Sequence, residues 1–197
     1  MDDLQEIEII RYQNYTTGKI TRLYKIPNDI DPNKGTKHFP NNPILIQVLM
    51  GGDYNSALKL IRDLGANVNI KSTDLSKIGG NKPSNSTPLM ALIHSLDERE
   101  EPNVFPKTSE IAKGIEILKS LLEKGANVND QDCMGFTALH LLINNAKIEC
   151  ITKSTLIDLL LTHGADRTIE MPKYGTPKSL AKLLKLDDIQ PDIYAKL

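Results

Sequence analysis

The sequence predicts an all-α chain of stacked helix–turn–helix units, and three observations predict it. A short motif closes leucine-rich stretches three times, as GANVN at 65–69, GANVN at 125–129 and GADRT at 164–168. A second motif opens apolar stretches four times: NPILIQV at 42–48, TPLMALI at 87–93, TALHLLI at 137–143 and TPKSLAK at 176–182. Between the two motifs, apolar residues recur at helical spacing. Residues 132–166 carry the fullest unit. Asp132 and Gly135 mark a turn, and Thr137 is placed to cap a helix opened by Ala138. Leu139, Leu142 and Ile143 form one apolar stripe, and Leu156, Leu159 and Leu160 form a second. Gly164 then follows the last turn, where a left-handed C-cap favours glycine. Such short helices are not stable alone, so each unit needs neighbours over its apolar faces.

These motifs resemble the ankyrin repeat, with its TPLHxA helix opening and its GADVN-like turn after the second helix. The resemblance covers about residues 37–190 and implies an ankyrin-repeat solenoid. The openings at 42, 87, 137 and 176 lie 45, 50 and 39 residues apart. The family period is about 33, so every repeat carries an insertion. The expected organisation is a non-repeat N-terminal cap over 1–36 and a repeat domain over 37–197. Within the latter, repeats fall at about 38–70, 83–130 and 132–169, with a C-terminal cap at 171–197.

Composition narrows the classes of function. A chain of 197 residues with a formal net charge of −1 and a pI near 6.4 is no general polyanion binder. With no tryptophan and few aromatics, an aliphatic helix-on-helix core fits better than a sheet sandwich. Cys133 and Cys150 lack metal-ligand or CxxC spacing. Cys133 falls in an expected turn and Cys150 in an expected interhelical loop, so both read as free thiols in a reducing, cytoplasmic compartment. The opening MDDLQEIEII is no secretory signal, and no apolar run is long enough to span a membrane. The richness in isoleucine, lysine and asparagine hints at an AT-rich genome.

Taken in order, Ile7–Tyr12 and Ile20–Ile26 are β-prone runs. Ile20, Arg22, Tyr24 and Ile26 alternate with Thr21, Leu23 and Lys25, as in a strand. This segment is either a β-hairpin with Gly18 in its turn or an irregular packed arm, and its expected role is to cap the first repeat, the alternative being a separate functional element. Residues 27–35 are turn-forming throughout. In the first repeat, Asn42 is expected to cap a helix with Pro43 at its first position. Ile44, Leu45, Val48 and Leu49 should point inward. Gly51-Gly52-Asp53 breaks the chain, and Ala57, Leu58, Leu60, Ile61 and Leu64 lead to Gly65. Residues 70–86 read as an enlarged finger. The second repeat holds an acidic insertion at 97–107, with Phe105 as a candidate contact. Its return helix has Ser109 as expected cap and Ile111, Ile115, Leu118, Leu121 and Leu122 as stripe. Residues 144–154 are an expected insertion in the third repeat. The last unit sets Leu180, Ala181, Leu183 and Leu184 against Lys178, Lys182 and Lys185, a polar outer face suited to a terminal repeat. A short closing turn or helix is expected over 187–191.

A search for chemistry yields no catalytic motif. HExxH, CxxC, GxSxG and GxGxxG are absent, and the loop at 70–86 lacks the spacing of a phosphate loop. Cys133 with His140 would make a nucleophile–base pair only with an orienting group and an oxyanion hole. The resemblance instead implies that His140, at the histidine of the TPLH pattern, hydrogen-bonds backbone between repeats. His163 is a favourable cation near a helix C-terminus. Scattered lysines without interleaved aromatics argue against nucleic acid.

The expected function is therefore non-catalytic. The resemblance implies a monomeric protein–protein interaction module that binds another protein through its concave surface, without cofactor, metal, nucleic acid or membrane. Carried over from the family, the contact positions are His38, Phe39, Asn41, Leu49 and Met50 in the first repeat. In the second they are Pro83, Ser84, Ser86, His94 and Ser95. The third supplies Cys133, Met134, Phe136, Asn144 and Asn145, and the last Lys173 and Tyr174. Met134 and Phe136 are candidate apolar anchors, although Phe136, like Phe39, would equally serve as core. A stand-alone domain of this kind from an AT-rich microbe also suggests an effector delivered into a host cell. The alternatives are a scaffold or inhibitory subunit in its own cell, or an enzyme using Cys133 or the 70–86 loop.

Overall fold

The first helices are too short to stand alone, and the chain solves this by packing them on one another. A computed structural model describes residues 7–13, 20–37, 39–74, 84–96 and 108–197, of which 10–13, 20–22 and 108–110 as backbone only. The expectations for Gly18, for residues 75–83 and for the 97–107 insertion with Phe105 lie outside the described residues. The remainder is mostly helical. Two strands, β1 (Glu8–Gln13) and β2 (Ile20–Lys25), precede nine helices among the described residues. These are α1 (Ile44–Met50), α2 (Tyr54–Arg62), α3 (Pro88–Ser95), α4 (Thr108–Glu123), α5 (Ala138–Asn144), α6 (Cys150–Thr162), α7 (Pro177–Leu183), α8 (Leu186–Ile189) and α9 (Pro191–Ala195). Helices α1, α3, α5 and α7 pack side by side in that order. Behind them α2 packs on α1, α4 on α3 and α6 on α5, and α2 also packs on α4. Among the described residues, no helix is long and apolar enough to cross a membrane.

Local sequence accounts for the helix ends. Thr87, Thr137 and Thr176 each accept a hydrogen bond from the backbone N–H three residues on, at 3.3, 3.4 and 3.2 Å. Asn42 does not do this. Pro43 is the residue before α1 and offers no side-chain cap. The Asn42 side chain turns instead to Ser72 and to Asp74, joining the first turn region to the second. Two other expectations need correction. Cys150 is the first residue of α6, so the insertion in the third unit stops at Glu149 rather than reaching Ser154. Helix α4 begins at Thr108, which puts Ser109 inside the helix and not at its cap.

Each return helix ends in a repeated closure. Gly65, Gly125 and Gly164 have φ of +65°, +82° and +86°, a region that disfavours any residue with a Cβ. At 121–126 and 160–165 the paired 6→1 and 5→2 backbone bonds of a Schellman motif follow. The asparagines beyond these glycines then tie unit to unit. Asn69 Oδ1 accepts from Asn127 N–H at 2.7 Å, and Asn129 Oδ1 from Asp166 N–H at 2.8 Å. Their amides donate to the Gly125 and Gly164 carbonyls, both at 2.9 Å. Asn33 supplies the first rung, accepting from Asn67 N–H at 2.7 Å. Asp31 accepts from Asn33 N–H just as Asn67 does from Asn69 and Asn127 from Asn129. Residues 31–33 therefore take the same turn as the motifs that follow the helices, although they precede α1, the first helix among the described residues.

Strands β1 and β2 pair antiparallel, Glu8 opposite Lys25 through Gln13 opposite Ile20. Tyr24 and Ile26 are buried and Leu23 and Lys25 exposed, as the alternation predicts. Backbone bonds dock β2 on the first helix pair. Tyr24 N–H donates to Asp53 Oδ2 (2.9 Å), Ser56 Oγ to the Tyr24 carbonyl (3.0 Å) and Lys59 Nζ to the Ile26 carbonyl (2.8 Å). Buried Asp53 also caps α2, accepting from Ser56 N–H at 3.1 Å. One carboxylate thus serves both hairpin and helix. Asp53→Ala is expected to cost about 2–3 kcal/mol in urea unfolding, a lost cap plus a stranded buried N–H, and Asp53→Asn less. An unchanged midpoint in Asp53→Ala would show that the hairpin is held by its apolar contacts alone.

Candidate functional site

Helices α1, α3 and α5 are buried through their first six residues. The seventh residue after the helix cap breaks the pattern. Counted from Pro43, Thr87, Thr137 and Thr176, it is Met50, His94, Asn144 and Leu183, and all four are exposed, Met50 at 57% and Leu183 at 63%. Because the four helices pack in sequence, one exposed side chain per helix is presented at a constant register.

The turn regions in front of these helices are joined laterally. Thr73 N–H donates to the Asn41 carbonyl (3.0 Å) and Cys133 N–H to the Ser84 carbonyl (3.0 Å). Gln131 Nε2 donates to the Glu170 carbonyl at 3.0 Å and to Gly135 within its own turn at 2.8 Å. Within the third turn, Asp132 accepts from Met134 N–H and Phe136 N–H at 2.8 and 2.9 Å. These bonds engage backbone groups of neighbouring turns with one another and with side chains of the turns themselves.

The residues expected to form a contact surface divide into three groups. Asn41, Met50, His94, Asn144 and Lys173 are exposed. Phe39, Ser84, Ser86, Cys133, Met134 and Tyr174 are half-buried, and Tyr174 packs on the core with Lys173 Nζ 4.9 Å from its ring centre. The third group is committed to structure. Leu49 is wholly buried and offers no contact surface, which corrects its assignment: it faces the core, one residue short of the exposed register. Ser95 Oγ donates to the Leu92 carbonyl at 2.7 Å and meets Tyr54 Oη at 3.1 Å. Asn145 Nδ2 donates to the Ile93 and Leu96 carbonyls at 3.0 and 3.2 Å, tying α5 to the end of α3. Phe136 lies edge-on to His140, ring centres 6.2 Å apart at 85°, and packs against the core. It is an internal contact before it is an anchor. His38 and Pro83 lie outside the described residues. Leu183 is absent from the positions the family resemblance implies, yet it occupies the same seventh place after its capping threonine.

His140 is fully buried, and its hydrogen bonds fix its tautomer. Thr137 N–H, a donor only, meets Nδ1 at 3.3 Å, so Nδ1 accepts. Nε2 must then carry the proton and donate to the Gly175 carbonyl at 3.1 Å, in the turn before α7. The ring acts as a capping box within its own helix and as a tie to the next unit. With both nitrogens engaged, it is not available as a base for Cys133. Among the described residues, no group of three or more His, Cys, Asp or Glu is placed to hold a metal. No protein-family model matches the chain, and no curated protein aligns with it significantly.

Burial lowers the pKa of His140, with the Gly175 carbonyl and Asp132 opposing the shift. The unfolded chain therefore takes up a proton that the folded chain refuses. This contribution to stability is complete above the ordinary histidine value near 6.5 and declines as pH falls through that value toward the folded one. The urea midpoint is expected to be lower at pH 5.5 than at 7.5. His140→Gln should cost about 2 kcal/mol at pH 7.5 and lose most of that pH dependence. His94, shifted downward by the protein packed around it, supplies the residual slope. A wild-type midpoint that is flat over this range would contradict the neutral, doubly bonded imidazole.

Proposed function

We propose that the chain is an ankyrin-repeat protein whose task is to bind another protein, without catalysis, across the face formed by Met50, His94, Asn144 and Leu183 and the turns beside them. The observation that carries this reading is the constant register. Four packed helices each expose the same position and bury what precedes it on the inner three, so the exposed set lies outside the buried packing between the helices. Two large apolar side chains at the ends and two hydrogen-bonding ones between them suit a protein surface with a few dominant contacts. The recurring turn glycines, the lateral asparagine bonds and the buried His140 between units support the repeat assignment.

An enzyme built on Cys133 is less well supported, because the nearby imidazole has committed both nitrogens and the Cys133 backbone is tied to Ser84. Lys153, buried and with its pKa lowered by that burial, lies on α6 rather than on this face.

The test is affinity capture from cell lysate, followed by a direct affinity measurement with the purified captured protein. Met50→Ala/His94→Ala/Asn144→Ala should keep wild-type melting, because none of the three side chains is buried. Its affinity should fall by about 30-fold or more, equivalent to roughly 2 kcal/mol. Equal binding by the triple variant and wild type would remove this face from consideration.

A further inference from the structure

Besides His140, two side chains with a titratable charge are buried among the described residues, Asp53 and Lys153. The Asp53 carboxylate is answered by Tyr24 N–H and by the backbone and hydroxyl of Ser56. Lys153 has no such answer. It is 3% exposed, and among the described residues its ammonium takes part in no hydrogen bond and no ion pair. An ammonium withdrawn from water without acceptors or a counter-charge is costly. Burial accordingly lowers the pKa of Lys153, and the neighbouring Cys150 opposes that shift.

The place of Lys153 on α6 decides what its side chain faces. Helical side chains lean toward the N-terminus, over the residues three and four places earlier. For Lys153 these are Cys150, which opens the helix, and Glu149 before it. Cys150 is the neighbour whose charge acts on the ammonium, and no ion pair joins Lys153 to Glu149. The helix end beneath which Lys153 lies has no side-chain cap. Asp53, Thr87, Thr137 and Thr176 cap α2, α3, α5 and α7, whereas Glu149 gives α6 none. Lys153 N–H is the first to reach an acceptor within the helix, the Glu149 carbonyl at 2.8 Å. The N–H groups of Cys150 and Ile151 therefore have no acceptor inside it. Ile151 is 80% exposed and Cys150 half-buried, so solvent reaches this end although Lys153 is covered. Asp158, the one acid within α6, lies two turns on and is paired with Lys196.

We propose that the N-terminus of α6 and the ammonium of Lys153 together bind a tetrahedral oxyanion, phosphate or sulfate. The amides of Cys150 and Ile151 donate to its oxygens, and the helix dipole favours its charge at this end. Lys153 supplies the counter-charge, and the anion gives the buried ammonium the acceptors it lacks. Two deficiencies, open amides and an unanswered cation, are thus met by one ligand. No covalent step is involved, and the Cys150 thiol is a bystander. Glu149, exposed and adjacent in sequence, opposes the anion and keeps the affinity modest. None of these residues belongs to the face of Met50, His94, Asn144 and Leu183, so the site does not rest on the proposed binding function.

Amide NMR of the whole chain tests it, with sodium phosphate and then sodium sulfate titrated against sodium chloride at constant ionic strength. The Cys150 and Ile151 amides are expected to shift saturably, with half-saturation at about 1–10 mM, while amides of the Asp53-capped end of α2 stay in place. Lys153→Met keeps an aliphatic chain in the buried position and should melt no lower than wild type in chloride. Its half-saturation should rise by about 10-fold or more. Cys150→Pro removes one donor at the first helical position, where proline is tolerated, and Glu149 before it is already extended. That variant should fold and bind about 3-fold more weakly or worse, read from the Ile151 amide. If Lys153→Met fails to fold, Cys150→Pro decides alone. Two results would overturn the proposal: no saturable shift at Cys150 and Ile151 up to about 50 mM of either anion, or titrations of the folded variants that superimpose on wild type.

Discussion

Enclosure of very short helices is the constraint on which the rest of the structure depends. Helices α1 and α5 have seven residues each and α3 has eight, about two turns, well below the length at which a helix persists in water. They exist because neighbours cover both flanks and a longer return helix covers the back. Such a row must be closed at its ends. At the beginning β2 performs this, with Tyr24 and Ile26 buried against α1 and α2 and its backbone bonded to Asp53, Ser56 and Lys59. At the far end α8 and α9 bury Leu186 and Ile193, and Lys196 reaches Asp158 on α6.

Spacing between units is set elsewhere, in the turns. Asn33, Asn69 and Asn129 each accept a backbone N–H from the following unit, at 2.7–2.8 Å in every case. These bonds fix how far one unit sits from the next, whatever length of chain intervenes. That explains how units 39 to 50 residues apart in sequence stack alike. The extra residues fall between the paired helices or within a turn region, where lengthening a loop adds little to its closure entropy. His140 makes the same kind of tie from the helix side, through Gly175.

The elements with a strong local cause were legible in advance. Capping threonines, turn glycines and apolar stripes predicted seven helix positions, and the alternation from Ile20 to Ile26 predicted the second strand. What could not be read had non-local causes. Asn42 looks like a cap by type and place, yet Ser72 and Asp74 of the next turn compete for its side chain and win. Asp31-Pro32-Asn33 forms the first rung of the asparagine series, but among the described residues no helix precedes it to announce the turn, so its sequence reads as part of the non-repeat segment. Among the candidate contacts, Leu49, Ser95 and Asn145 stand one position from exposed neighbours. Only the packing of the adjacent helix distinguishes them.

That one-residue difference separates the side chains this fold displays from those that hold it together. The seventh position after the cap is exposed on all four helices, and methionine, histidine, asparagine and leucine all occur there. The sixth faces the core and is aliphatic at Leu49, Ile93 and Ile143. At the eighth, Ser95 and Asn145 bond across to Tyr54 and to the carbonyls that end α3. Changes at the sixth leave a cavity, and changes at the eighth leave carbonyls without donors. Changes at the seventh alter only what is displayed. The exposed register is therefore the part of each unit whose chemistry is free to vary without loosening the row, which is the property the proposed binding face requires.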